Sequence, residues 1–568
     1  MLKYTTRFDH GLGQEWIETD LSGKELLVTP LLNKGTAFSE EERHNLKLLG
    51  KLPQRIETLQ EQLFRVESQF GRYTTTLQKY IYLNNLHDKN ETLFYTFLLD
   101  NLDITLPLIY TPGVSAAVQR FSHEFRQPRG LYISYPDRDK IDEILDNRTH
   151  AEIDLLVATD GERILGIGDQ GIGGMDIPIA KLVVYSLCGV NPYRTIPILL
   201  DVGTDNQQLL NDPLYLGWRH ARIRGKEYDD FIQTFVDAVK RKLPKSMIHW
   251  EDFGNQNARR ILETYRLEHC SFNDDMQGTA VVTLAALLSA IKASNLDIKD
   301  QRIVVYGAGT AGLGIADQLF NAMVHFGVPP EAARRQFWLI DRHGLLVDGM
   351  PELNTFQQPY ARPSQEANDW PNEKRDLLSV VEKIHPTILI GCSTVKDAFT
   401  EAVVKAMASH TNKPIICPLS NPNENSEGDP NNLIAWTKGK ALIATGSPFP
   451  PVEYEGIKYC ITQCNNALSF PGIGLGVIAT KATQVTDNML WAATQAISLK
   501  APILQDPTLP LLPHITEIPE LAAHVAHAVA EQAIKDGVAT VNPSMNFAEF
   551  IKENMWKPYY RPIRSAKG

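Results

Sequence analysis

A chain of 568 residues, 43% hydrophobic and 22% charged, has the makings of three or four globular domains with large apolar cores and a cleft between them. Its formal net charge of −11 supplies no cationic stripe for a phosphate backbone, so nucleic acid is excluded as an expected partner. Met1 to His10 hold no apolar core ahead of a small-residue cleavage site, and no run approaches ~18 apolar residues, so a soluble, cytoplasmic protein without a membrane partner is expected.

From about Ser39 to Phe125, Leu, Gln, Glu and Arg recur at helical spacing with few glycines. This predicts a helical N-terminal region that stops at the Pro/Gly loop Leu106-Pro107-Leu108-Ile109-Tyr110-Thr111-Pro112-Gly113. A strand is expected over Ile153 to Thr159, then an Asp160-Gly161 turn, a glycine-dense stretch from Gly166 to Gly174, a helix after Pro178 and a strand from Ile196 to Val202. Strand and helix alternate, as in a parallel sheet. A helix over Thr279 to Ala293 precedes the strand Arg302 to Tyr306, which enters the turn Gly307-Ala308-Gly309-Thr310-Ala311-Gly312. Further strands are expected at Phe337 to Ile340, Thr387 to Ile390, Pro414 to Leu419 and Ala441 to Ala444. The tail from about Ile515 reads as helical and closes on a basic, aromatic segment, Trp556 to Arg564, expected to pack across a subunit boundary or to fray. The six cysteines (Cys188, Cys270, Cys392, Cys417, Cys460, Cys464) lack the paired spacing of a zinc site and are expected to be buried thiols.

Two clusters carry chemistry. In the glycine turn, Gly307 permits the tight bend, Gly309 admits a pyrophosphate against the backbone and Gly312 allows the following helix to pack closely. Asp341, closing the next strand, can accept hydrogen bonds from a ribose, although it arrives later than the usual ~20 residues. An Asp there repels a 2′-phosphate whereas Arg342 attracts one, and the balance favours NAD over NADP. The second cluster is a pair of acidic dipeptides, Glu251-Asp252 and Asp274-Asp275, each among apolar or aromatic residues. Carboxylates crowded in such surroundings repel one another unless a cation neutralises them, and hard oxygen donors suit Mg²⁺ or Mn²⁺.

The segments Leu108 to Pro112, Thr159 to Gly166, Pro178 to Leu182, Glu251 to Asn255, Phe272 to Asp275 and Leu419 to Pro422 together resemble the malic enzymes, and the likeness runs over nearly the whole chain. The resemblance implies an α/β protein in which a doubly wound Rossmann-type NAD domain (277–466) is inserted in a second α/β domain for substrate and metal (126–276 and 467–535), between a helical N-terminal region (1–125) carrying Tyr110 and a C-terminal tail (536–568). It implies Glu251, Asp252 and Asp275 as metal ligands, with Asp274 behind them, and Lys181 as base and Tyr110 as acid. It also implies Arg163, Asn421 and Asn466 on the substrate, with Arg163, Asp275 and Asn421 also at the cofactor. The implied activity is NAD-dependent, metal-assisted oxidative decarboxylation of L-malate to pyruvate and CO₂, together with oxaloacetate decarboxylation, in a homo-oligomer, a dimer or a tetramer. Arg65 and Lys89 stand where fumarate-activated members carry two arginines; Lys offers a point charge in place of a bidentate fork, so fumarate activation is not expected. Gln357 stands where NADP-preferring members tend to carry Lys. Rival readings are a malolactic enzyme releasing lactate, a non-catalytic NAD-binding scaffold, and another two-domain dehydrogenase such as one acting on amino acids.

Overall fold

The computed structural model describes residues 4–9, 14–164, 166–370, 375–541 and 546–566; Met1 to Lys3, His10 and Leu165 of the 159–166 motif lie outside the described residues. The chain forms two compact units, one of residues 1–254, 267–271 and 552–568, the other of 255–266 and 272–551.

The first unit opens with an antiparallel hairpin, β1 (Tyr4–Asp9) and β2 (Gln14–Thr19). Helices follow at Leu59–Phe70, Thr76–His87, Glu91–Asp100, Leu102–Ile109 and Val114–Glu124; the expected Pro/Gly loop is shorter than predicted, since Leu106 to Ile109 are helical and only residues 110–113 turn. The first two start at Thr58 and Thr75, whose hydroxyls accept from the backbone N–H three residues on while Glu61 and Gln78 return the bond. The main sheet runs in the order β3 (Leu131–Ser134), β5 (Thr195–Asp201), β4 (Leu155–Thr159), β6 (Met247–Trp250), β7 (Ser271–Asn273). Strands β3, β5, β4 and β6 pair in parallel. Every residue of β4 and β6 is buried, the pattern of strands covered on both faces.

The second unit holds a seven-stranded sheet. It comprises β8 (Ile303–Tyr306), β9 (Phe337–Asp341), β10 (Gly344–Leu345), β11 (Ile388–Gly391), β12 (Ile415–Pro418), β13 (Leu442–Thr445) and β16 (Thr462–Gln463), with β14 (Val452–Tyr454) and β15 (Ile457–Tyr459) forming a separate hairpin. Its order, β10-β9-β8-β11-β12-β13-β16, departs from β8 in both directions, which creates a topological switch point beside the end of β8. Asp274–Ser294 is long and apolar enough to cross a membrane, but it is mostly buried, and so reads as the core helix of a globular fold.

Two expectations are corrected. The N-terminal region is not helical throughout, because Tyr4–Asp9 and Gln14–Thr19 form strands, and the tail does not fray. Its last strand, β17 (Ile563–Ser565), pairs in parallel with β2, and Ile563 joins Ile17, Leu26, Phe38 and Leu46 in one apolar cluster. Trp556 packs edge-on against Tyr95 and Tyr193, and Met555 fills the space that a side chain at Gly189 would occupy. This pairing joins the two ends of the sequence, so no local periodicity announces it. Among the cysteines, Cys188, Cys270 and Cys417 are buried, Cys392 and Cys464 are partly covered, and Cys460 is exposed, contrary to the expectation of six buried thiols.

Candidate active site

In β6 the side chains alternate, so His249 and Glu251, just past the strand end, lie on one face. On the helix Asp176–Leu187, Lys181 and Tyr185 lie one turn apart on a common stripe. The two elements are joined at both points. Lys181 Nζ is 3.0 Å from Glu251 Oε1, His249 Nε2 is 2.8 Å from Glu251 Oε2, and the Tyr185 hydroxyl is 2.9 Å from His249 Nδ1. With the tyrosine O–H donating to Nδ1, the Nε2–H donates to the carboxylate, which sets the tautomer. Lys181 is 3% exposed and Glu251 5%, although an isolated lysine in a sequence is ordinarily a surface residue.

Tyr110 caps the C-terminus of the Leu102–Ile109 helix, is itself buried, and its ring lies 5.4 Å from Lys181 Nζ. Thus Tyr110, Lys181 and Glu251, remote in sequence, meet within one unit. Asp252 is buried beside Glu251 and takes a left-handed backbone, φ +55°, uncommon for a residue with a side chain. Its carbonyl accepts the N–H of Arg163 at 3.1 Å, which ties the Arg163 turn to the acidic pair while leaving the Arg163 side chain exposed. Two buried carboxylates against one ammonium leave an excess of negative charge on hard oxygen donors. That donor set fits a divalent cation.

The loop carrying Arg163 is clamped from below. Arg222 donates to both oxygens of Asp169, at 2.7 and 2.8 Å, and to the carbonyl of Asp160 at 3.0 Å. Burial pushes the Asp160 carboxyl up to about 6, against the opposing charge of Arg222, and Tyr228 donates to it at 2.7 Å.

The helix that presents Lys181 begins at Asp176, whose carboxyl burial pushes up to about 7, with Arg129 pulling the other way. A carboxyl raised in the native state binds more protons there than in the unfolded chain between pH ~4 and ~7. Its favourable share of stability is therefore complete below pH ~4 and is lost as pH rises through about 7. Asp176→Asn, which cannot ionise, is expected to flatten this decline and to gain roughly 3 kcal/mol at pH 8 relative to the parent. Urea unfolding at stepped pH would check it, and an unchanged slope would refute the assignment.

His249, Tyr185, Arg222 and Asp176 are not among the site residues expected from sequence. Strand alternation back from Glu251 and one helical turn on from Lys181 would have pointed to His249 and Tyr185. No sequence signal marks Arg222.

In the second unit, the residues after β7 form a π turn, Asp274–Gly278, in which Asp274 is buried and Asp275 exposed. Asn466 donates to Asp274 Oδ2 at 3.0 Å and to its carbonyl at 3.2 Å, so this expected substrate-binding amide is engaged with the residue beside the expected ligand. Asn421 follows β12; its Oδ1 accepts from the Ser447 hydroxyl and its Nδ2 donates to Leu419 O at 3.4 Å.

The glycine turn connects β8 to the helix Thr310–His325. Gly307 has φ +103°, and a Cβ there would lie 2.5 Å from the backbone of Cys392; at Gly312 a Cβ would overlap Gly307 O, whereas at Gly309 it would meet open space. The bend, the helix contact and the open face thus fall on the three glycines in turn. Gly312→Ala is expected to weaken NADH binding more than about tenfold by prying the helix N-terminus from the turn, as read by fluorescence titration. Asp341 Oδ2 accepts from Gln357 Nε2 at 2.8 Å, and the same amide donates to Ala308 O at 3.0 Å. Gln357 therefore fixes the acidic side chain relative to the turn.

A Rossmann-type unit with an open glycine turn, in a chain that also carries a buried lysine–tyrosine–carboxylate centre, defines a dinucleotide-dependent oxidoreductase of the two-domain kind. Residues 87–266 match the family described as "Malic enzyme, N-terminal domain" and residues 276–534 the family described as "Malic enzyme, NAD binding domain". The chain belongs to the malic enzyme family. It is 50% identical to NAD-dependent malic enzyme 3 of Bacillus subtilis over 97% of this chain and 98% of that one. It is 49% identical to the NAD-dependent malic enzyme of Aeromonas hydrophila, over 96% and 97%. Among solved structures, the malic enzyme of Entamoeba histolytica superposes with TM-score 0.55 at 24% identity, covering 89% of this chain and 90% of that one. The malic enzyme of Pyrococcus horikoshii superposes with TM-score 0.53 at 25% identity, covering 79% and 87%. The expected α/β class with a Rossmann-type nucleotide unit is the one observed.

Proposed function

We propose that the chain is an NAD-dependent malic enzyme, oxidising and decarboxylating L-malate to pyruvate and CO₂ while reducing NAD. The observation that carries this reading is the buried contact of Lys181 with Glu251 beneath the Tyr110 ring, in a chain that also has an NAD-binding domain match. Glu251, Asp252 and Asp275 would hold Mg²⁺ or Mn²⁺, a set of hard carboxylate donors of the kind such ions take. When bound, the cation supplies positive charge for the oxygens of malate and the dinucleotide accepts the hydride.

The side chains do the proton work. Lys181 in its amine form takes the proton of the C2 hydroxyl onto Nζ, and its anchorage by Glu251 limits the positions from which it does so. After CO₂ departs, the Tyr110 hydroxyl delivers a proton to C3. The Tyr110 ring lies 5.4 Å from Lys181 Nζ, which keeps acid and base within one cluster. Arg163 binds a substrate carboxylate, and the amides of Asn421 and Asn466 orient substrate and cofactor. Burial of Lys181, Tyr110 and Glu251 excludes bulk water from the proton transfers.

An assay at 340 nm with L-malate, comparing NAD with NADP and with and without Mn²⁺, tests the reading. Free NADH and pyruvate in equal amounts are expected, and only with metal. Lactate without free NADH would establish the malolactic alternative, and no turnover the scaffold. A cytoplasmic homo-oligomer is part of the proposal, supported by the exposed apolar residues Leu49, Ile56 and Phe64 of the N-terminal region, with mass by light scattering as its check.

A further inference from the structure

We propose that Glu427 is a positioning residue of the dinucleotide site, an inference that rests on the NAD-dependent reading above. Glu427 is fully buried in the link between β12 and the helix Pro430–Trp436. Its Oε1 accepts from Ser393 N at 2.7 Å, Ser393 Oγ at 2.9 Å, Thr394 N at 3.1 Å and Ser420 Oγ at 2.5 Å. Its Oε2 accepts from Ser420 N at 3.3 Å. One carboxylate thus gathers donors from two loops, the one leaving β11 and the one leaving β12. Both lie at the carboxyl ends of parallel strands, the edge at which an open α/β sheet receives a nucleotide.

The link extends to the phosphate turn itself. The bend at Gly307 rests on Cys392 and Ser393, since a Cβ on Gly307 would come within 2.5 Å of Cys392 C and 2.6 Å of Ser393 N. Gly391 is what admits the carboxylate, as a Cβ there would stand 2.6 Å from Glu427 Cδ. On the far side, Ser420 precedes Asn421. The carboxylate therefore braces the glycine turn through Ser393 and the Asn421 amide through Ser420.

Thr394 shows that the brace acts against a strain. Its φ is +58°, a left-handed backbone that a β-branched residue adopts only when its surroundings impose it. Its N–H is held by Glu427 Oε1 and by Ser420 Oγ at 2.9 Å. Four of the five donors meet Oε1 and one meets Oε2, so an amide at this place keeps an acceptor for the four but a neutral, weaker one, and turns its own N–H groups against the Ser420 N–H.

Glu427→Gln tests the assignment through NADH binding, read by fluorescence titration independently of turnover. The dissociation constant for NADH and the KM for NAD are expected to rise about tenfold, with the KM for malate within about twofold of the parent. Thr394→Gly added to Glu427→Gln, which removes the strain, is expected to recover most of the lost affinity. A purely structural role would instead lower the melting temperature and move both KM values together without rescue by glycine, and that result overturns the proposal. Unchanged NADH affinity in a folded Glu427→Gln protein overturns it too. Should that variant not fold, Ser393→Ala and Ser420→Ala each delete one donor and are expected to weaken NADH binding about threefold or more; parental affinity in both refutes the brace. Failure of the parent protein to bind NADH would instead sink the NAD-dependent reading.

Discussion

Lys181→Met is expected to lower kcat by about 10³-fold or more, because a positioned general base contributes ~10²–10⁴ and no other amine stands at Glu251 among the described contacts. Methionine keeps most of the volume of the buried side chain, so collapse of the helix is not the cause of the loss. The variant removes the ammonium that faces Glu251, so it should also melt at a lower temperature. Binding and chemistry are separable here. NADH affinity should stay near the parent value, since the glycine turn belongs to the other unit, while turnover falls. In Lys181→Ala, which does vacate the place, added small primary amines should restore part of the rate. A variant retaining more than about a tenth of the parent kcat would place the base elsewhere.

Removing a carboxylate of the proposed metal set should have the next largest effect. Glu251→Gln preserves shape and the approach of His249 but takes away one negative charge from a group that faces both Lys181 and His249. Asp275→Ala acts on an exposed residue of the π turn, so its effect on folding should be small. Both are expected to abolish turnover and to weaken Mn²⁺ binding by ~10–100-fold or more, measured calorimetrically on the protein without substrate. The two variants should differ in stability. Glu251→Gln leaves the Lys181 ammonium buried without its carboxylate, which costs about 3 kcal/mol or more, whereas Asp275→Ala should melt near the parent temperature. Near-normal activity of either at limiting Mn²⁺ would refute the ligand assignment.

Local sequence carried much of the architecture. The apolar runs that became β4, β8, β11, β12 and β13 lie within one or two residues of their expected places, because strands buried on both faces leave continuous apolar segments. The helix before β8 and the helix after the glycine turn were legible from periodicity, and the turn itself from its spacing. The sheet made by β1, β2 and β17 was not. Its strands are short, partly exposed and drawn from opposite ends of the chain, and pairing across such a separation has no local signature.

The same division holds at the site. Residue chemistry and motif order in the sequence alone determined the parallel-sheet class, the dinucleotide turn and the paired acidic groups, whereas Lys181 and Tyr110 stand out only through the resemblance to the malic enzymes. Tertiary structure alone decided the company each group keeps: Glu251 gripped by Lys181 and by a His249 that Tyr185 orients, Asp341 pinned to the turn by Gln357, and Glu427 bracing two loops. The physical reason is range. Secondary structure and turns follow from neighbours along the chain, whereas a buried polar group is satisfied by whichever donors the packed fold delivers to it, and those lie tens of residues away.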